Sequence, residues 1–242
     1  MTAPTQTVRE IALENPGSIR VFEKLGIDYC CGGRKPLAEA CAAKDIAVED
    51  VIAALDGSAE TGTTTAEDWT TQTLAGLIRH IVETHHVYIR NETPRLAELA
   101  QKVVNRHGDT QAELRTIQAK LAELSEELRE HCAKEEVVLF PYVAKMERAL
   151  AEHTAKPHGC FGTVANPIAM MTQEHDAAGA LVAEIRALSG DFTLPVGACP
   201  TFHAFYNGLE EFERDLHQHI HLENNVLFPR ALAMEAREEV AV

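Results

Sequence analysis

The sequence predicts an all-α protein, an antiparallel four-helix bundle preceded by a small helical domain. Three observations carry that reading. Beyond Trp69, apolar residues recur at three- and four-residue steps through four long segments. The Val/Ile/Thr alternation of a strand is almost absent. The bundle half also repeats itself, HCAKEEVVLFP at 131–141 being matched by HIHLENNVLFP at 219–229. Four such stripes bury one another most economically as an antiparallel bundle.

Residues 1–57 read as short helices punctuated by Asn15-Pro16-Gly17, Leu25-Gly26 and Cys31-Gly32-Gly33, with Pro36 suited to a helix start. Helices that short must pack on one another. Residues 58–69, SAETGTTTAEDW, lack apolar periodicity and read as a linker. The bundle domain, 70–242, then follows. Its segments run from about Thr71 to Val104, with Pro94 expected to kink the helix, and from about Thr110 to Leu150, about Pro167 to Leu188 and about Pro200 to Arg237. The Gly- and Pro-containing stretch HTAKPHGCFGTVANP is a loop between the second and third.

The chain has 242 residues, 45% of them apolar, enough for one full core and a satellite. Its net charge of −15 is spread over Glu-rich helices, which excludes nucleic acid and anionic membrane as expected partners. No run approaches the roughly 20 apolar residues of a spanning helix, and MTAPTQTVRE does not read as a leader, so the expectation is a soluble cytoplasmic protein. Six scattered cysteines read as reduced thiols.

The repeat carries the chemistry. His131 and Glu135, like His219 and Glu223, stand four apart and so share a helix face. Phe212, Leu216, His219, Glu223 and Val226 follow one apolar stripe, opposite a polar face of Arg214, His217, His221 and Asn225 read as solvent-facing. Leu124, Leu128, His131, Glu135 and Val138 repeat the pattern. His86, after Ile78 and Val82, and His175, after Met171, precede their partners by 45 and 44 residues. Two carboxylates thus enter a core, where each needs a compensating cation. Imidazole and carboxylate ligands from facing helices suit iron or manganese better than structural zinc, and a Glu from each hairpin can bridge two ions. Helix spacing alone leaves His85 as an alternative to His86. The remaining histidines, His107 among them, read as surface or satisfied.

These residues resemble the repair-of-iron-centres family, iron–sulfur cluster repair proteins with a hemerythrin-like domain. DYCCGG, Asp28 to Gly33, and HxxLE followed by NNVLFPRA, His219 to Ala231, carry the resemblance, which spans nearly the whole chain. It implies a hemerythrin-like bundle with two non-haem irons, oxo- and carboxylate-bridged, on His86, His131, Glu135, His175, His219 and Glu223. That is one histidine fewer than in oxygen-carrying hemerythrins, which leaves open coordination. It implies repair of iron–sulfur proteins damaged by nitrosative or oxidative stress, by iron donation or by binding and reducing nitric oxide. A hemerythrin-type binder or sensor of dioxygen is the alternative. The residues leave the oligomeric state open, a homodimer included.

Cys30 and Cys31 precede two glycines whose positive-φ freedom is expected to turn the chain and expose the thiols for metal, nitric oxide or mixed disulfides; a buried pair packing a turn is the other reading. Asp28 and Tyr29 have no defined role at this level. Glu127, one turn before His131, and Glu174, next to His175, read either as acceptors for the outer N–H of a metal-bound histidine or channel residues, or as plain acids of the helix surface. Cys41, Cys132, Cys160 and Cys199 read as incidental.

Overall fold

The computed structural model describes residues 2–61 and 69–240. The amino-terminal part folds into α1 (Val8–Glu14), α2 (Ser18–Leu25), α3 (Leu37–Ala42) and α4 (Val48–Thr61). Thr7 and Glu10 form a capping box on α1, and Gly26 closes α2 in the left-handed conformation at φ 63°. Phe22, Tyr29, Leu37, Val51 and Leu55 close a core of their own. α4 continues to Thr61, into the stretch expected to be a linker; residues 62–68 lie outside the described residues. Ser58-Ala59-Glu60 contains no strong breaker, so the helix can propagate through it.

Four rods form the bundle. The first joins α5 (Leu74–Ile81) to α6 (Val87–His107), and the second joins α7 (Glu113–Lys134) to α8 (Phe140–Glu152). The third is α9 (Ala165–Leu188), and the fourth joins α10 (Pro200–His221) to α11 (Phe228–Val240). α6 packs between α7 and α10, and α9 lies against α7. The chain stays helical through Pro94. Glu147 receives the amides of Leu74 and Ala75 at 2.6 and 2.9 Å, satisfying two donors at the start of α5. Among the described residues there is no strand beyond the single bridge of Thr7 with Pro36.

The bundle core is two apolar clusters. One gathers Leu96, Ile117, Leu124, Leu128, Phe205 and Leu216; the other gathers Leu77, Ile81, Leu139, Phe140, Met171 and Val226. Between Leu128 and Leu139, and between Leu216 and Val226, the chain buries histidine and glutamate instead. A polar layer therefore crosses the middle of the bundle, and the surrounding hydrophobic packing holds it rigid.

Candidate metal centre

Three rods change helix type at the polar layer, with wider π-helical turns at Val82–His86, Glu135–Leu139 and Leu222–Leu227. Each such turn inserts a residue into the helix register. The regular stripe Leu74, Leu77, Ile81 leads to His85, and the inserted residue brings His86 inward as well, so both are buried. The same shift corrects the stripe read for the second rod. Val138 is 40% exposed, while Leu139 and Phe140 turn into the core.

Six side chains converge in the layer. His86, Glu135, His219 and Glu223 form one group and His131, Glu135, His175 and Glu223 another, the ligand atoms in each lying within 4.8 Å of one another. Both carboxylates belong to both groups, and each is 0% exposed. His86 and His219 face each other at 3.2 Å between Nε2 atoms, and His131 and His175 at 3.1 Å. The outer nitrogens of three rings have acceptors: Glu136 Oε1 at 2.8 Å from His86 Nδ1, Glu174 Oε2 at 3.0 Å from His131 Nδ1, and Asn224 Oδ1 at 2.9 Å from His175 Nδ1. A neutral ring that donates through Nδ1 presents its Nε2 lone pair inward.

Both oxygens of Glu135 and Oε2 of Glu223 are buried without a hydrogen-bond partner. Glu223 Oε2 lies 2.9 Å from His175 Nε2, yet the two atoms lack hydrogen-bond geometry and aim at shared space. Orphaned carboxylate oxygens beside facing imidazole nitrogens fit cations between them. Without a cation, protons take that role. Burial disfavours charge on His86, but Cys132 and Glu135 outweigh it and push the ring up to about 11. Burial is likewise outweighed at His131, which Glu135 raises, and at Glu223, which His219, His131 and His175 hold well below the usual carboxylate range.

Comparison with known proteins identifies the family. Residues 4–59 match the family described as "Domain of Unknown function (DUF542)", and residues 77–231 match "Hemerythrin HHE cation binding domain". The chain is 39% identical over 235 residues to a relative from Citrobacter koseri named "Iron-sulfur cluster repair protein YtfE", covering 97% of this chain and all of the relative. Relatives of the same name from Escherichia coli O17:K52:H18 and Shigella boydii serotype 4 are each 39% identical over 230 residues, covering 95% of this chain and 98% of theirs. The chain belongs to this iron–sulfur cluster repair family. The two family matches follow the order of small helical region and bundle read from the sequence.

In this family member, Glu174 lies between His131 Nδ1, at 3.0 Å, and Lys134 Nζ, at 2.5 Å; the His131 contact, then Lys134, hold its carboxyl at about 2 against burial. Glu127 is exposed and stands outside the arrangement. Sequence reasoning missed Glu136, which also pairs with Arg90 Nη1 at 2.6 Å, and Asn224. The signal for Glu136 was its place beside a buried Glu at the start of the wider turn. His85 belongs to neither group; its Nδ1 meets Asp215 Oδ1 at 3.0 Å and its ring stacks on His219 at 5.7 Å.

The solvent-facing reading of His217 and His221 is overturned. His221 is buried and His217 half-buried, because the amino-terminal domain docks on that face. Tyr29 packs on the His221 ring at 5.4 Å, Asn225 Nδ2 donates to Tyr29 O at 2.9 Å, and Arg9 Nη2 donates to Asn225 O at 3.0 Å. Periodicity marks a face as polar but not what covers it.

Docking also corrects the cysteine reading. Cys30 is buried against the bundle core and Cys31 half-buried, with Cys31 Sγ 3.8 Å from the carbonyl of His175. The thiols are free, their sulfurs 3.8 Å apart; Cys31 and burial both push Cys30 well above an ordinary thiol. Gly32 and Gly33 are not at positive φ. Their need is space, since a Cβ would come within 2.9 Å of Asp28 Oδ2 at Gly32 and 2.6 Å of Tyr29 O at Gly33. Asp28 shapes the turn by accepting from the amides of Cys30, Cys31 and Gly32 at 2.8 to 3.0 Å. An open cleft of about 1310 Å³ runs alongside, lined in part by Cys31, Asp176, Gly179, Glu213 and His217.

Proposed function

We propose that His86, His131, Glu135, His175, His219 and Glu223 hold two iron ions, with Glu135 and Glu223 shared between them, and that this centre serves the repair of damaged iron–sulfur proteins. The observation that carries the reading is the doubly shared pair of buried carboxylates, whose orphaned oxygens face two Nε2···Nε2 contacts of 3.1 and 3.2 Å. The names of the relatives, iron–sulfur cluster repair proteins along almost their full length, supply the biological direction.

Bound iron would supply one-electron redox chemistry and coordination for a small ligand such as nitric oxide or dioxygen. The protein's own contribution is positional. Glu136, Glu174 and Asn224 fix three rings with Nε2 inward, as outer acceptors do at histidine metal sites. The two apolar clusters keep the layer dry from both sides. Cys31 sits against the His175 backbone and lines an open cleft together with Cys30, a position suited to contact with a damaged cluster and to the passage of iron. A protein of this design can donate iron to a cluster or consume nitric oxide. No helix among the described residues is long and apolar enough to cross a membrane.

Metal analysis of the purified protein, with optical and EPR spectra before and after nitric oxide, tests the proposal. Two irons per chain, a coupled spectrum and restoration of a nitric-oxide-damaged cluster protein are expected. Catalytic consumption of nitric oxide would select the reductase arm. Stable reversible oxygenation with no repair would replace the proposal with a dioxygen binder, and bound zinc would reduce the centre to a structural one.

A further inference from the structure

At the end of the bundle away from the candidate centre, α6 and α10 bring together two residues that the iron site does not use. His107 is the last residue of α6, Cys199 immediately precedes α10, and His107 Nε2 lies 3.3 Å from Cys199 Sγ. Counting along α6 at 1.5 Å per residue, about 30 Å separates the pair from His86. The His107 ring also packs on Phe202, with centroids 5.3 Å apart, which fixes its orientation.

The surroundings favour proton transfer from sulfur to nitrogen. A helix amino end stabilises an anion and a helix carboxyl end a cation, and here the start of α10 meets the thiol while the end of α6 meets the imidazole. His107 foremost, then the amides of Phe202 and Thr201, lower the Cys199 thiol from 9.0 to about 7. Cys199 is half-buried, so a small reagent can reach it, whereas Cys41 and Cys132 are closed in the core.

We infer that Cys199 and His107 form a thiol–disulfide exchange site for low-molecular-weight disulfides, independent of the iron centre. The Cys199 thiolate attacks one sulfur of the disulfide; the new Sγ–S bond forms as the old S–S bond breaks. The leaving thiolate takes the proton from the His107 imidazolium. The products are a mixed disulfide on Cys199, one free small thiol and a neutral His107, so the disulfide oxidation level is conserved. Attack is most efficient for a thiol that titrates near ambient pH, because nucleophilicity falls as the thiolate becomes less basic.

The test is treatment of the full-length protein with oxidised glutathione, an acid quench and peptide mass mapping, using the exposed Cys160 as internal reference. Cys199 is expected to be modified ahead of Cys160, with a rate that rises to half its maximum near pH 7. In His107→Gln the amides of Phe202 and Thr201 remain, so a full return of the thiol to 9.0 sets the upper limit: it would cut the thiolate fraction at pH 7 about 50-fold, while intrinsic nucleophilicity would rise about 8-fold. The net expectation is at most about 6-fold slower exchange at pH 7, a deficit that closes near about pH 8 and reverses at higher pH. A deficit that persists at every pH means that His107 acts by packing alone and overturns the inference. So does modification of wild-type Cys199 no faster than Cys160, a comparison that decides the matter even if His107→Gln fails to fold.

Discussion

Replacing Glu135 or Glu223 with alanine should remove both metal ions, whereas replacing one histidine should remove one. The asymmetry comes from the geometry: each carboxylate serves both groups, while His86 and His219 belong to one and His131 and His175 to the other. With free iron about a thousandfold above its dissociation constant, each occupied site stabilises the native chain by about 4 kcal/mol. In a chain of this size that is a rise in melting temperature of about 8 to 16 °C per site. Wild type should therefore melt far higher iron-loaded than chelated. The difference should roughly halve in His219→Ala or His175→Ala and nearly vanish in Glu135→Ala or Glu223→Ala. Paired measurements of iron content and melting temperature, loaded and chelated, read the pattern; the histidine variants should also show uncoupled, single-iron spectra. Glu135→Ala that keeps two irons and an unchanged coupled spectrum would show that the shared-carboxylate reasoning is wrong.

Iron binding should release protons. In the metal-free protein Cys132 and Glu135 raise His86, and Glu135 raises His131, above an ordinary imidazole, so both rings hold protons that iron must displace, making affinity fall as pH falls. With two protons displaced, the drop is about 100-fold per pH unit; chelator competition with a slope near zero would contradict it. Glu174→Ala removes the acceptor of His131 Nδ1 and should weaken iron binding by about 10- to 100-fold, which titration would reveal. Deleting residues 1–57 should leave a folded bundle that still takes iron, because all six candidate ligands lie beyond them, but with faster loss of iron to a chelator. A truncated chain that fails to fold, or that releases iron at the wild-type rate, would contradict that reading.

Much of this was legible in the sequence because burying charge leaves a mark in periodic text. A His-x-x-x-Glu pair in line with Leu124 and Leu128, repeated in line with Phe212 and Leu216, put polar groups on a core face twice. What escaped was geometry that periodicity assumes away. A reading at fixed helical pitch expects Val138 inside, and the wider turn at Glu135–Leu139 puts it outside. The same cause explains why spacing could not separate His85 from His86: the inserted residue buries both. Docking of the DYCCGG turn was hidden for a different reason. The face that receives it, His217, His221 and Asn225, is polar, and hydrogen-bonded contact between domains leaves no apolar stripe to read.

The turn at Leu222–Leu227 joins these two themes. Three consecutive residues leave it in different directions: Glu223 into the layer shared by both ligand groups, Asn224 toward His175 and Asn225 toward Tyr29. Asn224 is the connection between them, since its Oδ1 meets His175 Nδ1 at 2.9 Å while its Nδ2 donates to Cys30 O at 3.4 Å. The amide can satisfy both partners in one orientation only, oxygen to the ring and nitrogen to the carbonyl. The cysteine turn therefore touches the group that orients His175, and Cys31 Sγ lies 3.8 Å from the His175 carbonyl. The vicinal cysteines and the candidate metal layer thus meet directly, through Asn224 and the His175 carbonyl, although some 140 residues of chain separate Cys31 from His175.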